Sequence, residues 1–411
     1  MSKINVSNLS HAGNGGDPNI ELYADGSTSI RSLNNARSTV IINGEMMINQ
    51  RFTEESFPSE AGGSGGSGSA RVVCPDRYVW VNNFTSDYNA QVRRLQISDS
   101  SHGPEGAVMP PGFNFCVSVK PLQAKPSFDD GDYLSVTQFV EGYNISNFDL
   151  GKATAQTMNF SFWYRTNKAG TYGLCFRNRA AERTYVHDFV VSAGDADNTW
   201  RQYDVDIPGP TNGEWDIDSN IGFRCEIFFA NAGQWQTAPA NADQWLDTTG
   251  GIVHTTSNIV NFMDDEANRF ATTGWQLTAG AGKLSFQHHN SADELLLCQR
   301  YCYRINASGD GFAGGTRFTK FAWLRNSGGS DNWVNWALPV NMRTRPSLAM
   351  GGNIASPATG RIIDTSQVKN VMYAGSNLSI DLTNSAGFAA DYADFIQLGE
   401  TGSWFMADCE F

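Results

Sequence analysis

The stretch TMNFSFWYR, Thr157 to Arg165, decides the fold. Met158, Phe160, Phe162 and Tyr164 alternate with Asn159, Ser161 and Arg165, the period of two shown by a half-buried β-strand and not by a helix. The apolar set predicts a core-facing surface and the polar set an outer one. Trp163 puts a large aromatic ring on that outer face, so what the face covers or binds is the question the strand raises.

The same period recurs on either side. Residues 172–177 would bury Tyr172, Leu174 and Phe176, and residues 184–191 would bury Tyr185, Phe189 and Val191. Further on, 200–207 offers Tyr203, Val205 and Ile207, and 221–229 offers Ile221, Phe223, Cys225, Ile227 and Phe229. Strands at these intervals, joined by Gly, Asn, Asp and Pro turns, predict an all-β jelly-roll sandwich over 71–290. Alternation in RFTKFAWLR and SWFMADCEF predicts a second, smaller β-sandwich over 316–411. Between them Ser291 and Glu294 have capping-box spacing ahead of an apolar run, so 291–315 is expected to hold a short helix from about Ala292 that leads into a strand.

The N-terminal part is different. Residues 1–40 are polar and Gly/Asn-rich, with an extended reading at Ile20 to Tyr23 closed by Ala24-Asp25-Gly26. A segment of that composition cannot bury a core alone, so 1–52 is read as an attachment or oligomerisation segment. AGGSGGSGS at 61–69 makes 53–70 a linker or long loop. No Lys and Ser/Thr follow its glycines in P-loop order.

Composition narrows the function. The net charge of −13 and pI near 4.9 argue against nucleic acid, which clustered Lys and Arg would bind. Charged residues make up only 17% and aromatics 12%, which suits a turn-rich β protein. The cysteines, seven and widely spread, are expected to be small buried hydrophobes of a chain made in a reducing cytoplasm. No apolar run reaches the ~20 residues that span a bilayer, and no signal-peptide core opens the chain, so no membrane insertion is expected.

No catalytic site follows from the sequence. Glu214, Asp216 and Asp218 crowd one loop and Asp264, Asp265 and Glu266 another. A glycosidase needs two such carboxylates flanking the bond, but in a chain with 42 acids these clusters read as solvated turns. His288-His289 reads as a surface pair. Cys298 and Cys302 lack the second pair that zinc would need.

Several phrases resemble a known family. Ile42-Asn43-Gly44-Glu45-Met46, followed by Asn49-Gln50-Arg51, looks like a short motif found ahead of the β-sandwich domains of tailed-phage tail-fibre and virion-appendage proteins. Phe139-Val140-Glu141-Gly142-Tyr143, TMNFSFWYR, Trp200, the QWQTA and QWLD segments, Thr273-Gly274-Trp275-Gln276-Leu277 and Glu294 to Tyr301 occur in the same order in their jelly rolls, which are similar to carbohydrate-binding modules. Leu338-Pro339-Val340 and Arg345-Pro346 look like the strand and turn of their terminal domain. The resemblance covers about residues 40–350. It implies a non-enzymatic virion protein, a homotrimer joined to other virion proteins through its N-terminal segment and contacting host surface glycan. The alternative is a structural capsid decoration or tail component without receptor contact. Many carbohydrate-binding jelly rolls carry one structural Ca²⁺, and Asp129, Asp130 and Asp132 are the candidate ligands. The loop lacks the rest of an EF-hand's spacing and its distal Glu, so it is read as a turn and no cofactor is expected.

Sugars offer an apolar C–H face and a polar edge, so flat rings beside amides and carboxylates are the residues to seek. Trp215, and Trp333 and Trp336 with Asp331 and Asn332 in SDNWVNW, are the candidates. Trp235 and Trp245 match positions shared across the family sandwich, which implies a structural role, and Trp163, on a shared scaffold strand, is expected to pack against protein.

Overall fold

The structure, a computed structural model, describes residues 39–51, 70–84, 89–97, 109–306, 332–351 and 404–411. It also describes residues 371–374 and 376–381, and gives the strand backbones at 8–9, 20–22, 28–30, 319–326, 354–356, 361–363, 368–370, 382 and 393–398. The sequence-predicted linker 61–69 and turn 24–26 lie outside these residues.

Twelve strands build the main sandwich: β1 Ala70–Val73, β2 Tyr78–Asn82, β3 Ala90–Gln96, β4 Phe115–Pro121, β5 Tyr133–Glu141, β6 Met158–Thr166, β7 Gly170–Arg177, β8 Arg183–Val191, β9 Arg201–Ile207, β10 Ile221–Asn231, β11 Trp245–Asp247 and β12 Phe270–Ala279. One sheet has the order β11-β8-β7-β10-β5-β2-β1 and the other β9-β6-β12-β4-β3. All these pairings are antiparallel, and the chain crosses repeatedly between the two sheets, with β1–β2, β3–β4, β7–β8 and β10–β11 each staying within one, as in a jelly roll.

The inward faces meet as the alternation predicts. Phe160 and Phe162 of β6 lie against Trp275 of β12, with ring centroids 5.3 and 6.3 Å apart. Phe162 also meets Phe189 of β8 edge-on at 5.4 Å, and Phe160 meets Phe176 of β7 at 5.4 Å. Each such ring taken wholly out of water stabilises the fold by ~1.5–3 kcal/mol, so this aromatic layer outweighs any single polar contact. The predicted inward set is buried apart from Tyr203, which is partly covered, and Ile221, half-buried where β10 begins.

The outer face of β6 departs from expectation, because Asn159 and Ser161 are also buried. Residues 280–288 lie across this sheet: the Gln287 amide donates to the Gln276 side chain at 3.0 Å, and Gly282 N–H donates to Asp206 at 2.8 Å. Asn159 is satisfied by Asp206 at 2.7 Å. The polar face is therefore a satisfied interior layer and not a wetted surface.

The segment 39–51 is part of this body. Ile41 and Met46 are buried in the core, and Val40 N–H donates to the Leu277 carbonyl. A Cβ on Gly44 would stand 2.3 Å from the Trp275 carbonyl oxygen, so only glycine lets the turn sit that close. Asn43 donates to the carbonyls of Ile48 and Asp76, Gln50 to Asp76 and the Cys302 carbonyl, and Arg51 to Asp76 and Asp408. The motif is thus a clasp between the sandwich and the C-terminal part.

Helix α1, Ser291–Gln299, starts one residue earlier than predicted. Its cap is Asn290, whose side chain accepts from Ala292 N–H at 2.9 Å, so the Ser291/Glu294 capping box does not form. Glu294 is buried and holds the Asn43 amide and His289 instead. Strand β13, Cys302–Asn306, falls in the predicted connector but pairs with the last strand, Trp404–Asp408, which also pairs with Ser347–Gly351. A seven-stranded sheet that includes Asn332–Ala337 completes this second β unit. Its core holds Val334, Trp336, Leu378, Ile380 and Phe405. All seven cysteines are buried and unbridged, as expected, and burial pushes up the thiols of Cys74, Cys175, Cys225, Cys298, Cys302 and Cys409.

Candidate functional site

Two loops at one end of the seven-stranded sandwich sheet form an open cleft of about 470 Å³, lined by Arg179, Ala180, Glu182, Glu214, Trp215 and Asp216. The first loop is the β7–β8 hairpin turn, and the second precedes β10. Asn178 joins them. Its side-chain oxygen accepts from the amides of Glu182 and Arg183 at 2.9 and 3.2 Å, while its nitrogen donates to the Glu214 carbonyl at 3.0 Å. Asn178 is 1% exposed, so this tie is sheltered from water and fixes one loop relative to the other.

Trp215 is half-buried. It stacks on Phe223 of β10 at 5.8 Å and meets Trp245 edge-on at 5.5 Å, and its indole N–H donates to the Asn212 carbonyl. The ring is thus pinned in place by the core and borders the cleft. Glu182 and Glu214 are exposed, and Arg179 reaches Asp216 at 3.5 Å. Such an exposed pair adds little stability, so these groups are available to a ligand. Three carboxylates and one guanidinium offer mostly hydrogen-bond acceptors beside a rigid ring, an arrangement suited to a hydroxyl-rich ligand without negative charge.

The other predicted residues are dispersed. Trp333 and Trp336 both lie in Asn332–Ala337, and since side chains alternate in a strand, a spacing of three sends them to opposite faces. Trp336 is 2% exposed, stacked on Tyr303 at 5.3 Å and edge-on to Phe405 at 4.6 Å. This corrects the sugar-platform reading of Trp336, which is a core residue. Trp333 is half-buried, Asn332 is placed by its backbone in the same strand, and Asp331 lies outside the described residues. Trp235 stacks on His254 at 5.3 Å, and Trp245 donates to the Pro208 carbonyl.

At the candidate Ca²⁺ loop, the Lys125 ammonium sits 3.0 Å from Asp129 and 3.1 Å from Asp132. Asp132 is fully buried and also accepts from the Asp129 amide. A side-chain cation thus stands between these two carboxylates, which favours the turn reading. Among the described residues no cluster of three or more metal-binding side chains occurs. Of the acidic loops, Glu214 and Asp216 enter the cleft, Asp218 caps Asn220 N–H, and Asp264 pairs with Lys168. His288 faces Glu45 at 3.1 Å and His289 faces Glu294 at 2.5 Å.

The sequence singles out Trp215 as a candidate and reads Glu214 and Asp216 as solvated turns; Arg179, Glu182 and the Asn178 tie are not singled out by it. The available signal was the hairpin turn Asn178 to Glu182 between two predicted strands; nothing local says that it meets residues 212–216.

No helix among the described residues is long and apolar enough to cross a membrane. No family model matches the chain, and no curated protein matches it. Similar solved structures include the enzymatically active domain of tailspike protein 4 of bacteriophage CBA120, at 12% identity and TM-score 0.25, covering 53% of this chain and 21% of that one. The family 11 carbohydrate-binding module of Lic26A-Cel5E of Clostridium thermocellum matches at 8% and 0.25, covering 55% of this chain and 100% of the module. The tandem CBM22 domains of Paenibacillus barcinonensis Xyn10C match at 7% and 0.24, covering 91% and 97%. At such TM-scores these likenesses carry no argument, and the β-sandwich assignment rests on the strand pairing itself.

Proposed function

We propose that this chain is a non-enzymatic, glycan-binding component of a phage virion appendage, assembled as a homotrimer, held to other virion proteins by its N-terminal segment and facing host surface glycan. The observation that carries the binding part is the cleft at Trp215, where a ring fixed by Phe223 and Trp245 adjoins Glu182, Glu214 and Asp216. The ring takes a sugar's C–H face and the carboxylates accept from its hydroxyls. The virion and trimer parts are supported by the resemblance of the 42–51 motif and the ordered sandwich phrases.

The test is a microarray of bacterial surface polysaccharides probed with labelled protein. Wild type retains at least one neutral or amino-sugar glycan, and the surface pair Arg179→Ala with Glu182→Gln weakens that signal tenfold or more while the melting temperature holds. No glycan retained by wild type, or equal retention by the variant, refutes the site. Reducing ends released from the retained glycan would replace binding by hydrolysis.

A further inference from the structure

A second cleft, of about 420 Å³, lies on the outer side of the five-stranded sheet and is bordered by Trp163. Its chemistry is opposite to that of the first. Phe113, Phe286 and His288 gather with ring centroids 4.8 to 5.3 Å apart, Trp163 adjoins them, and Lys283 and Gln202 complete the rim. Among the described residues that line it, none is acidic, although the chain carries 42 acids against 29 bases. Lys283 donates to the side-chain oxygen of Gln202 at 3.0 Å, a neutral partner.

The cleft is built in advance. Gly274 has φ +65°, and a Cβ there would stand 2.8 Å from the tip of Phe113 and 2.9 Å from Cδ1 of Trp163. Glycine at this bulge of β12 is what lets those two rings approach. The segment that carries Lys283, Phe286 and His288 is anchored to the sheet through the Gln287 amide and Gln276, and to residue 39 through Gln287 Oε1 and the Thr39 amide, both at 3.0 Å.

We propose that this cleft is a second ligand site, which takes a carboxylate-bearing sugar such as a uronic acid. The pyranose lies against the Trp163 ring, and its carboxylate accepts from the Lys283 ammonium and the Gln202 amide, the strong charge-assisted kind of hydrogen bond. The chain's overall negative charge does not forbid this, because screening at physiological salt confines distant charges to about 8 Å while the ammonium is in contact. The chain then has two sites of opposite preference, acceptor-rich at Trp215 and donor-rich at Trp163.

The experiment is isothermal titration of the full chain with trigalacturonate and with its methyl-esterified form, which keeps the sugar shape and removes the charge. Wild type binds the acid at least about tenfold tighter than the ester. Lys283→Met removes that difference, and Trp163→Phe with Lys283 intact weakens both ligands together. Arg179→Ala with Glu182→Gln leaves the acid affinity unchanged, so failure of the Trp215 site does not imitate failure of this one. Equal wild-type affinity for the acid and the ester, no binding of the acid at millimolar concentration, or a Lys283→Met variant that keeps the preference would each overturn the proposal.

Discussion

Replacing Arg51 with methionine removes a guanidinium while keeping most of the side chain's volume. Arg51 stands 3.1 Å from Asp76, 3.0 Å from Asp408 and 3.3 Å from Glu410, and its side chain is 5% exposed. Asp76 is buried, and burial pushes its carboxyl up from the ordinary range while Arg51 pulls it down. Without Arg51, the donors to that carboxylate among the described residues are the Gln50 amide and side chain. Glu410 keeps Arg77, and Asp408 is partly open to water, so the stranded charge is that of Asp76. Breaking one partner out of a buried pair costs about 3–5 kcal/mol, which at ~2–4 °C per kcal/mol lowers the melting temperature by about 6–20 °C. The loss should depend on pH. A carboxyl whose folded pKa is raised is most favourable to folding below its unfolded value near ~3.9 and loses stability as pH rises through the folded value. The deficit of the variant therefore grows from about pH 4 upward, with a larger amplitude than in wild type because the raised value rises further. Calorimetry from pH 4 to 8 measures this, and adding Asp76→Asn should recover much of the loss. A cost below about 1 kcal/mol, or one that does not change with pH, would show that the clasp is not held by this pair.

Three further outcomes are expected. His254 is buried between Phe228 and Trp235, and burial lowers its pKa to about 3; a depressed pKa means stability present above ~6.5 and lost as pH falls toward 3, by up to ~1.4 kcal/mol per unit. His254→Phe should remove that part of the slope in denaturant titrations, and an unchanged slope would assign it to carboxylates. Gly274→Ala should cost about 2 kcal/mol or more, since it adds left-handed strain of ~1–2 kcal/mol to a clash with Phe113 and Trp163; a neutral effect in thermal melts would mean that the rings yield freely. Trp336→Ala should destabilise the C-terminal unit by ~3–5 kcal/mol, whereas Trp333→Ala, half-buried on the opposite face, should cost clearly less; equal losses by differential scanning calorimetry would contradict the placement of the two rings.

Much of the sandwich is legible because strands β6 to β10 each announce their own buried face. Phe160, Phe162, Leu174, Phe189 and Phe223 were assigned inward from alternation alone, and all are buried. Alternation says nothing about what later covers the other face. Asn159 and Ser161 were read as solvated, yet residues 280–288, more than a hundred positions away, bury them. Trp336 reads as a sugar platform when only its ring and its polar neighbours in SDNWVNW are weighed; in a strand, the spacing of three separates the two indoles. Glu294 had capping-box spacing but is drawn to the Asn43 amide and His289, a tertiary partner outcompeting a local one.

The sequence by itself determined the fold class, the strand faces, the buried cysteines and the position of Trp215 in a loop. These follow from short-range facts: side-chain period, turn residues, and the cost of leaving large rings in water. Only the tertiary structure decided which loops meet. Asn178 ties residues 182 and 214 into one cleft, Gly274 brings Phe113 to Trp163, and Arg51 joins residues 76, 408 and 410. Such contacts depend on strand order and on which sheet each crossover enters, quantities with no signature in local spacing. The Trp163 ring on TMNFSFWYR shows both halves: its outward direction is fixed by the period of two, and its neighbours Phe113, Lys283 and Phe286 are supplied by distant chain.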